Sequence, residues 1–288
     1  MCSLKVRSGE ICVIMTTFDP EPSIADRISD IIPQVGHIIL VNDSGSEKVK
    51  NKLYDLFSTS DKISLIHNET NSGIAYSLNV GVQLANKIGY SWLLTLDDDS
   101  RVKKDFVDKL LQSYEMAISQ YKVGIISLSR ENNQGETKPI IVTKRGAITS
   151  GSFFSFNVFE LAGGFREELF IDLVDYDFCI KIRKLGYSIL KSSEVGMFHP
   201  VGKITSHNLF GYNIKTYNHP AFRKYYIARN SIVLSKENII YDPLLSFVLI
   251  WDVFYTFIKV LLFEVEKVEK VKCLVKGVFH GVINKFDR

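Results

Sequence analysis

Cysteine is scarce in this chain of 288 residues. The four present, Cys2, Cys12, Cys179 and Cys273, are scattered, and no pair has metal-ligand or redox spacing. A reducing compartment fits that usage. Excess charge of one sign is also lacking: the formal net charge of +3 is too small to argue for a nucleic-acid partner. No signal-peptide core stands at the front, because Met1 to Glu10 is short and polar and the apolar run Ile11 to Met15 is far too brief for one. A protein made and kept in the cytoplasm is therefore expected. Internal repeats and low-complexity tracts are absent as well.

What is present is ordinary globular composition, with 46% hydrophobic and 23% charged residues, which excludes a disordered or fibrous chain. The length suits one large α/β domain, or a domain with a helical appendage. Short β-branched runs alternate with amphipathic stretches, the pattern of a parallel sheet covered by crossover helices. Strands are expected at Ile11 to Thr17, His37 to Asn42, Ile63 to His67, Trp92 to Leu96 and Val123 to Leu128. Helices are expected near Glu21 to Ile32, Glu47 to Phe57, Ile74 to Ile88 and Asp105 to Gln120. The regular alternation stops at a polar loop from Arg130 to Thr137. Further strands are expected at Ile140 to Thr143 and Ile189 to Met197, and a helix from Asp175 to Leu185 closed by Gly186.

The character changes after Pro243. Leu244 to Phe263 is nearly all apolar and long enough to span a bilayer. Asp252 and Lys259 are costly in hydrocarbon, however, and Lys267, Lys270, Lys272 and Lys276 follow in a densely charged stretch. The expectation is a catalytic domain over residues 1–236 and amphipathic helices over 237–288 that lie on the membrane surface. Packing against the protein's own domain, or a true span, are the alternatives.

The buried-strand pattern Trp92 to Leu96 runs directly into Asp97, Asp98, Asp99 and Ser100. In an open α/β sheet, ligands bind at the carboxyl ends of the strands. Adjacent carboxylates there repel one another and persist most easily beside a cation. Hard divalent ions such as Mg2+ or Mn2+ take oxygen ligands of this kind together with substrate phosphates. An acidic first turn of the following helix is the simpler alternative.

Several short segments now gain meaning from their order. They are Thr16-Thr17-Phe18-Asp19-Pro20, Val41-Asn42-Asp43-Ser44-Gly45-Ser46, Asn71-Ser72-Gly73-Ile74-Ala75 with Asn79 and Gly81, and Leu94 to Ser100. Ser150-Gly151-Ser152, Gly163-Gly164-Phe165, Phe170 to Cys179 and His199-Pro200-Val201-Gly202 follow in turn. The set resembles the family 2 inverting glycosyltransferases, most closely their rhamnosyltransferase-like branch, over nearly the whole chain. The resemblance implies a GT-A-type, Rossmann-like nucleotide-sugar-binding domain with a mostly parallel sheet, followed by C-terminal helices. It also implies transfer, with inversion, of a sugar from a dTDP- or UDP-linked donor to a saccharide or lipid-linked glycan. Bacterial cell-surface polysaccharide synthesis on the inner face of the plasma membrane is the implied setting. That branch usually carries Gln where Asp98 stands and often Asn where Asp19 stands, and a triple Asp also suits galactofuranose transfer. Rhamnose and galactofuranose are both candidate sugars.

The resemblance assigns roles residue by residue. Asp97 and Asp99 match the DxD motif as metal ligands, His199 the C-terminal histidine that completes the set, and Asp175 the catalytic base. Asp98 falls on the donor side. Asp43 is placed to accept the imide N–H of a pyrimidine, with Thr16 and Thr17 lining the nucleoside pocket; an Asx turn explains Asp43 equally. The N–H groups of Asn71 to Gly73 are directed to donor phosphates, unless they simply cap a helix. Arg229, in Tyr225 to Asn230, either clamps phosphate or pins its helix to the domain. Gly151 and Ser152 are expected in an acceptor wall, and Asp172 and Asp177 either shape the acceptor or orient partner side chains.

The chemistry agrees with a single base. A nucleotide diphosphate is already a stable leaving group, so the paired acid and base of a glycosidase are unnecessary. A nucleotidyltransferase is one rival, but Ile11 to Pro20 has no glycine-rich, basic phosphate loop. A catalytically inactive nucleotide-sugar-binding subunit is the other.

Overall fold

The computed structural model describes residues 5–129, 140–198, 204–209 and 211–286. The expected polar loop at 130–137 lies outside them. By compactness the chain divides into two units, Met1–Glu167 with Asp175–Pro200, and Glu168–Val174 with Val201–Arg288.

The first unit is built on strands β1 (Ile11–Thr17), β2 (His37–Asn42), β3 (Ile63–His67), β4 (Trp92–Asp97) and the short β5 (Arg101–Val102). β6 (Val123–Ser129), β7 (Ile141–Lys144), β8 (Ser152–Ser155), β9 (Ser188–Val195) and the short β10 (Met197–Phe198) complete it. Its helices are α1 (Ile24–Ile31), α2 (Glu47–Phe57), α3 (Ile74–Lys87), α4 (Phe106–Ile118), α5 (Phe156–Leu161) and α6 (Val174–Lys184). Eight strands form one sheet in the order β3-β2-β1-β4-β8-β6-β9-β7. β1, β2, β3 and β4 run parallel, as do β6 and β9, whereas β8 and β7 are antiparallel to their neighbours. Every residue of β1 is buried, as a strand covered on both faces requires.

The strands expected in the first half occur within one residue of their expected ends, and α6 is followed by Gly186 in the left-handed region, φ +79. α1 starts later than expected because Glu21 to Ile24 form a turn, with the Ile24 N–H on the Glu21 carbonyl at 3.1 Å. β8 and α5 went unrecognised. The four residues Ser152 to Ser155 show no two-residue alternation, yet they sit at the centre of the sheet, where Phe153 stacks on Trp92 at 5.2 Å. Tyr114 of α4 closes that cluster edge-on against both rings. β4, which carries the acidic run, is thus locked between β1 and β8 and beneath α4.

The second unit holds a hairpin, β11 (Thr205–Leu209) with β12 (Tyr212–Thr216), and helices α7 (Ala221–Asn238), α8 (Pro243–Phe263) and α9 (Lys267–Val282). The compact boundary falls earlier than residue 236 because α7 packs intimately with α9. A Cβ at Gly277 would stand 2.4 Å from the Tyr225 carbonyl oxygen, so only glycine permits that approach. At the junction of the three helices, buried Glu264 accepts from Lys224 of α7 at 2.7 Å and from Lys270 of α9 at 3.0 Å. α8 buries Leu245, Leu249, Val253 and Val260 and exposes Leu244, Phe247, Ile250, Trp251, Phe254 and Leu261. Among the described residues it is the one helix long and apolar enough to cross a membrane, with 21 residues and mean hydropathy 1.9.

Candidate active site

β1 has β2 on one side and β4 on the other, so the sheet reverses its winding between β1 and β4. Such a switch point opens a crevice at the carboxyl ends of the strands. There Thr16 is the register partner of Asp97. The chain then turns, with the Ser100 N–H on the Asp97 carbonyl at 3.1 Å.

The three aspartates are not equivalent. Thr17 donates its hydroxyl to the Asp98 carboxylate at 2.5 Å, and Arg27 donates to the Asp98 carbonyl at 2.8 Å while pairing with Glu21 at 2.7 Å. Burial pushes the Asp98 carboxyl above its usual range, the Thr17 hydrogen bond opposes this, and the Asp99 charge adds to it. The Asp98 carboxylate ties β1 to the turn. Asp97 and Asp99 flank it as half-buried carboxylates.

Two aspartate side chains offer the hard oxygen donors that Mg2+ or Mn2+ takes alongside phosphate oxygens, so the residues fit such an ion. Among the described residues, no group of three His, Cys, Asp or Glu side chains converges as a complete metal site. His199, the expected third ligand, lies outside the described residues.

Ser150 braces the turn. Its hydroxyl accepts from the Asp97 N–H at 3.2 Å and bonds the Ser100 hydroxyl at 2.6 Å. Gly151, at φ +84, donates its N–H to the Thr95 carbonyl at 2.7 Å, and a Cβ there would stand 2.7 Å from the Met197 sulfur. Ser152 is buried and donates its hydroxyl to the Ile148 carbonyl at 2.6 Å.

Asp175 stands in the first turn of α6, with its Oδ1 on the Tyr176 N–H at 2.9 Å. It lines a small cavity together with Thr95, Thr149, Ser152 and Phe178. Thr95 precedes Asp97 by two positions on β4, so the expected base and the acidic turn border one strand end. Cys179 lines the same cavity, but burial pushes its thiol up to about 12, which excludes a thiolate nucleophile at neutral pH. Asp177 is buried against Lys181 at 2.9 Å and Arg166 at 4.0 Å, the partner-orienting alternative.

Asp43 lies just beyond β2, buried. Its Oδ1 accepts from the Asn68 amide and the Ser72 N–H, and its Oδ2 from the Gly73 N–H, each at 2.8 Å. The Gly73 N–H also reaches the Asn71 side chain at 3.2 Å. The Ser72 and Gly73 N–H groups and the Asn68 amide thus form a clamp on Asp43. The Asx turn in this segment belongs to Asn42, whose Oδ1 accepts from Ser44 at 3.1 Å. A carboxylate has roughly four acceptor positions, so Asp43 keeps capacity for one more donor.

Two expected residues belong to the second unit. Asp172 pairs with Arg223, whose Nε stands 3.2 Å away. Arg229 is buried and donates to the carbonyls of Glu168 and Leu169 at 2.7 and 3.0 Å. Both carbonyls belong to the second unit, so these bonds hold α7 to the segment Glu168–Val174. Sequence reasoning missed Arg27 and Asn68 and gave Asn230 no role of its own beside Arg229, because amphipathic spacing records which face is polar and not which distant group a side chain meets.

Comparison with known proteins supplies the remaining observations. The sequence model of glycosyl transferase family 2 matches residues 12–169. A dTDP-rhamnosyl transferase, RfbF, of Shigella flexneri is 28% identical over 250 residues, covering 80% of this chain and 81% of that protein. Among solved structures, S. aureus TarS 1-349 in complex with UDP-GlcNAc superposes with a TM-score of 0.59 at 13% identity, covering 96% of this chain and 88% of that one. GalNAc-T7 with UDP, GalNAc and Mn2+ gives 0.54 at 14% identity, covering 77% of this chain and 50% of that one. The fold is the one these GT-A proteins share.

Proposed function

The chain belongs to glycosyl transferase family 2, and from that membership we propose that it is a metal-dependent inverting transferase for a sugar carried on a pyrimidine nucleotide diphosphate. Rhamnose from a dTDP-linked donor is the favoured sugar, supported by the likeness to RfbF across four fifths of both chains. Galactofuranose from a UDP-linked donor is the second candidate. The observations that carry the reading are the acidic turn Asp97 to Asp99 at the carboxyl end of β4 and Asp175 lining a cavity with Thr95 of the same strand.

In this mechanism Asp43 takes the imide N–H of the base, and the residues that close β1 line the nucleoside. Asp97 and Asp99 would hold the divalent ion, which when bound would offset the charge growing on the departing diphosphate. Asp175 accepts the proton of the acceptor hydroxyl as that oxygen attacks the anomeric carbon, and the nucleotide diphosphate leaves from the opposite face. One displacement inverts the configuration.

The acceptor is proposed to be a saccharide or lipid-linked glycan met at the cytoplasmic membrane surface. The exposed apolar face of α8 and the exposed Lys267, Lys272 and Lys276 of α9 support that setting.

A panel of UDP- and dTDP-sugars, scored for nucleotide release with and without Mn2+, tests the donor class. Asp175→Asn should bind nucleotide normally and lose activity by about 100-fold or more, within the usual contribution of a positioned base. Full turnover by that variant rejects Asp175 as the base; release of nucleotide from none of the donors rejects the transferase reading.

A further inference from the structure

Ahead of α6 the backbone takes an unusual path. Phe170, Asp172 and Leu173 all lie in the left-handed region, at φ 65, 64 and 63. Side chains with a Cβ rarely adopt that region, least of all branched or bulky ones, and such strain persists only where the surroundings hold it. Here the surroundings are one face of α7.

Asn230 donates its amide to three carbonyls of the segment, Leu169 at 3.1 Å, Ile171 at 2.9 Å and Asp172 at 2.8 Å. Arg229 adds its bonds to Glu168 and Leu169, and its Nε donates to the Asn230 side-chain oxygen at 2.9 Å, which fixes the amide with its NH2 toward the carbonyls. One helical turn earlier, Tyr226 stacks on Phe170 with centroids 4.9 Å apart, and Arg223 holds the Asp172 carboxylate. Arg223, Tyr226 and Asn230 recur at helical spacing on one stripe. A segment held by its carbonyls, one ring and one carboxylate has no freedom to relax toward ordinary φ values.

The held segment, Glu168–Val174, ends at the first residue of α6, and the next residue in the chain is Asp175. We infer that Asn230, locked by Arg229, is a positioning residue that imposes the strained entry into α6 and so sets the aim of the Asp175 carboxylate. The inference rests on the reading of Asp175 as the base. The same pair explains why an arginine and an asparagine are both needed: the arginine alone leaves the Ile171 and Asp172 carbonyls unheld.

The test uses the full chain and four proteins: wild type, Asn230→Ala, Asp175→Asn and the double variant. Turnover is read as nucleotide released from dTDP-rhamnose or UDP-galactofuranose, whichever the donor panel selects, and binding as the Kd of dTDP or UDP with Mn2+. Asn230→Ala should lower kcat by about 10- to 100-fold, as misplacement of a catalytic group does, with nucleotide Kd within twofold. In the Asp175→Asn background the same change should lower kcat no further, because it acts through that carboxylate. Equal losses in both backgrounds, or an unchanged kcat in folded Asn230→Ala, overturn the inference. If Asn230→Ala does not fold, Arg229→Lys takes its place under the same criteria. Full activity of Asp175→Asn alone overturns the base reading separately, whatever Asn230 does.

Discussion

Thr17, the last residue of β1, donates its hydroxyl at 2.5 Å to the carboxylate of Asp98, the residue just past β4. The middle acid of the run is thereby made a tie across the switch point, and its neighbours are left as the flanking pair. Thr17→Val removes the donor while keeping the shape. A hydrogen bond to a charged group contributes about 1.5–3 kcal/mol, so Mn2+ affinity in the presence of dTDP or UDP should fall by roughly 10-fold or more, read by the electron paramagnetic resonance of free Mn2+. Unchanged affinity would show that the tie does not shape the turn.

The three acids should also separate under substitution. Asp97→Asn and Asp99→Asn each remove a charge from the expected ion site and should abolish metal-stimulated nucleotide release. Asp98→Asn keeps an oxygen that accepts from Thr17, so its loss should stay within about 10-fold. Equal damage at all three positions would contradict the division of labour.

Glu264 gives the second unit an acid limit. Burial alone would raise its carboxyl, but the hydrogen bonds from Lys224 and Lys270 outweigh that and hold it below its usual value. A carboxyl depressed in the folded state contributes stability that is complete above its unfolded value, about 4.3, and lost as pH falls through the lower folded value. Unfolding followed by circular dichroism should therefore ease steeply below about pH 4. Glu264→Gln should remove that steepness and cost about 3–5 kcal/mol at pH 7, because two buried ammonium groups lose their counter-charge. A variant as stable as wild type at pH 7 would refute this account.

The exposed face of α8 predicts binding to lipid. Full-length protein should co-sediment with vesicles containing anionic phospholipid, and less so as salt screens the lysines of α9. Phe247→Glu with Trp251→Glu, both exposed positions, should abolish sedimentation without lowering Tm appreciably. Sedimentation that persists in the double variant would place the contact elsewhere.

The parallel half of the sheet was legible because β1 to β4 are short, mostly apolar runs that alternate with amphipathic stretches. The position of the acidic run followed from that periodicity. The partners of polar side chains did not. Arg229 sits in a helix with polar residues on every side, and nothing local distinguishes a buried guanidinium facing carbonyls from one facing phosphate. Asp43 likewise gave no sign that its clamp would come from Ser72 and Gly73, whose N–H groups a helix start would ordinarily leave open. Such pairings depend on where distant segments arrive.

The placement of β8 carries a consequence for biosynthesis. Residues 152–155 emerge from the ribosome after β4 and β6, yet they fill the gap between them. Until they arrive, two strand edges with unpaired backbone groups stand open in mid-sheet, the condition that invites wrong pairing between chains. β8 seats at the centre rather than at the rim, and β9 follows it to pair with β6 and β7, so a lesion at Phe153 would leave the nascent chain vulnerable along both seams at once.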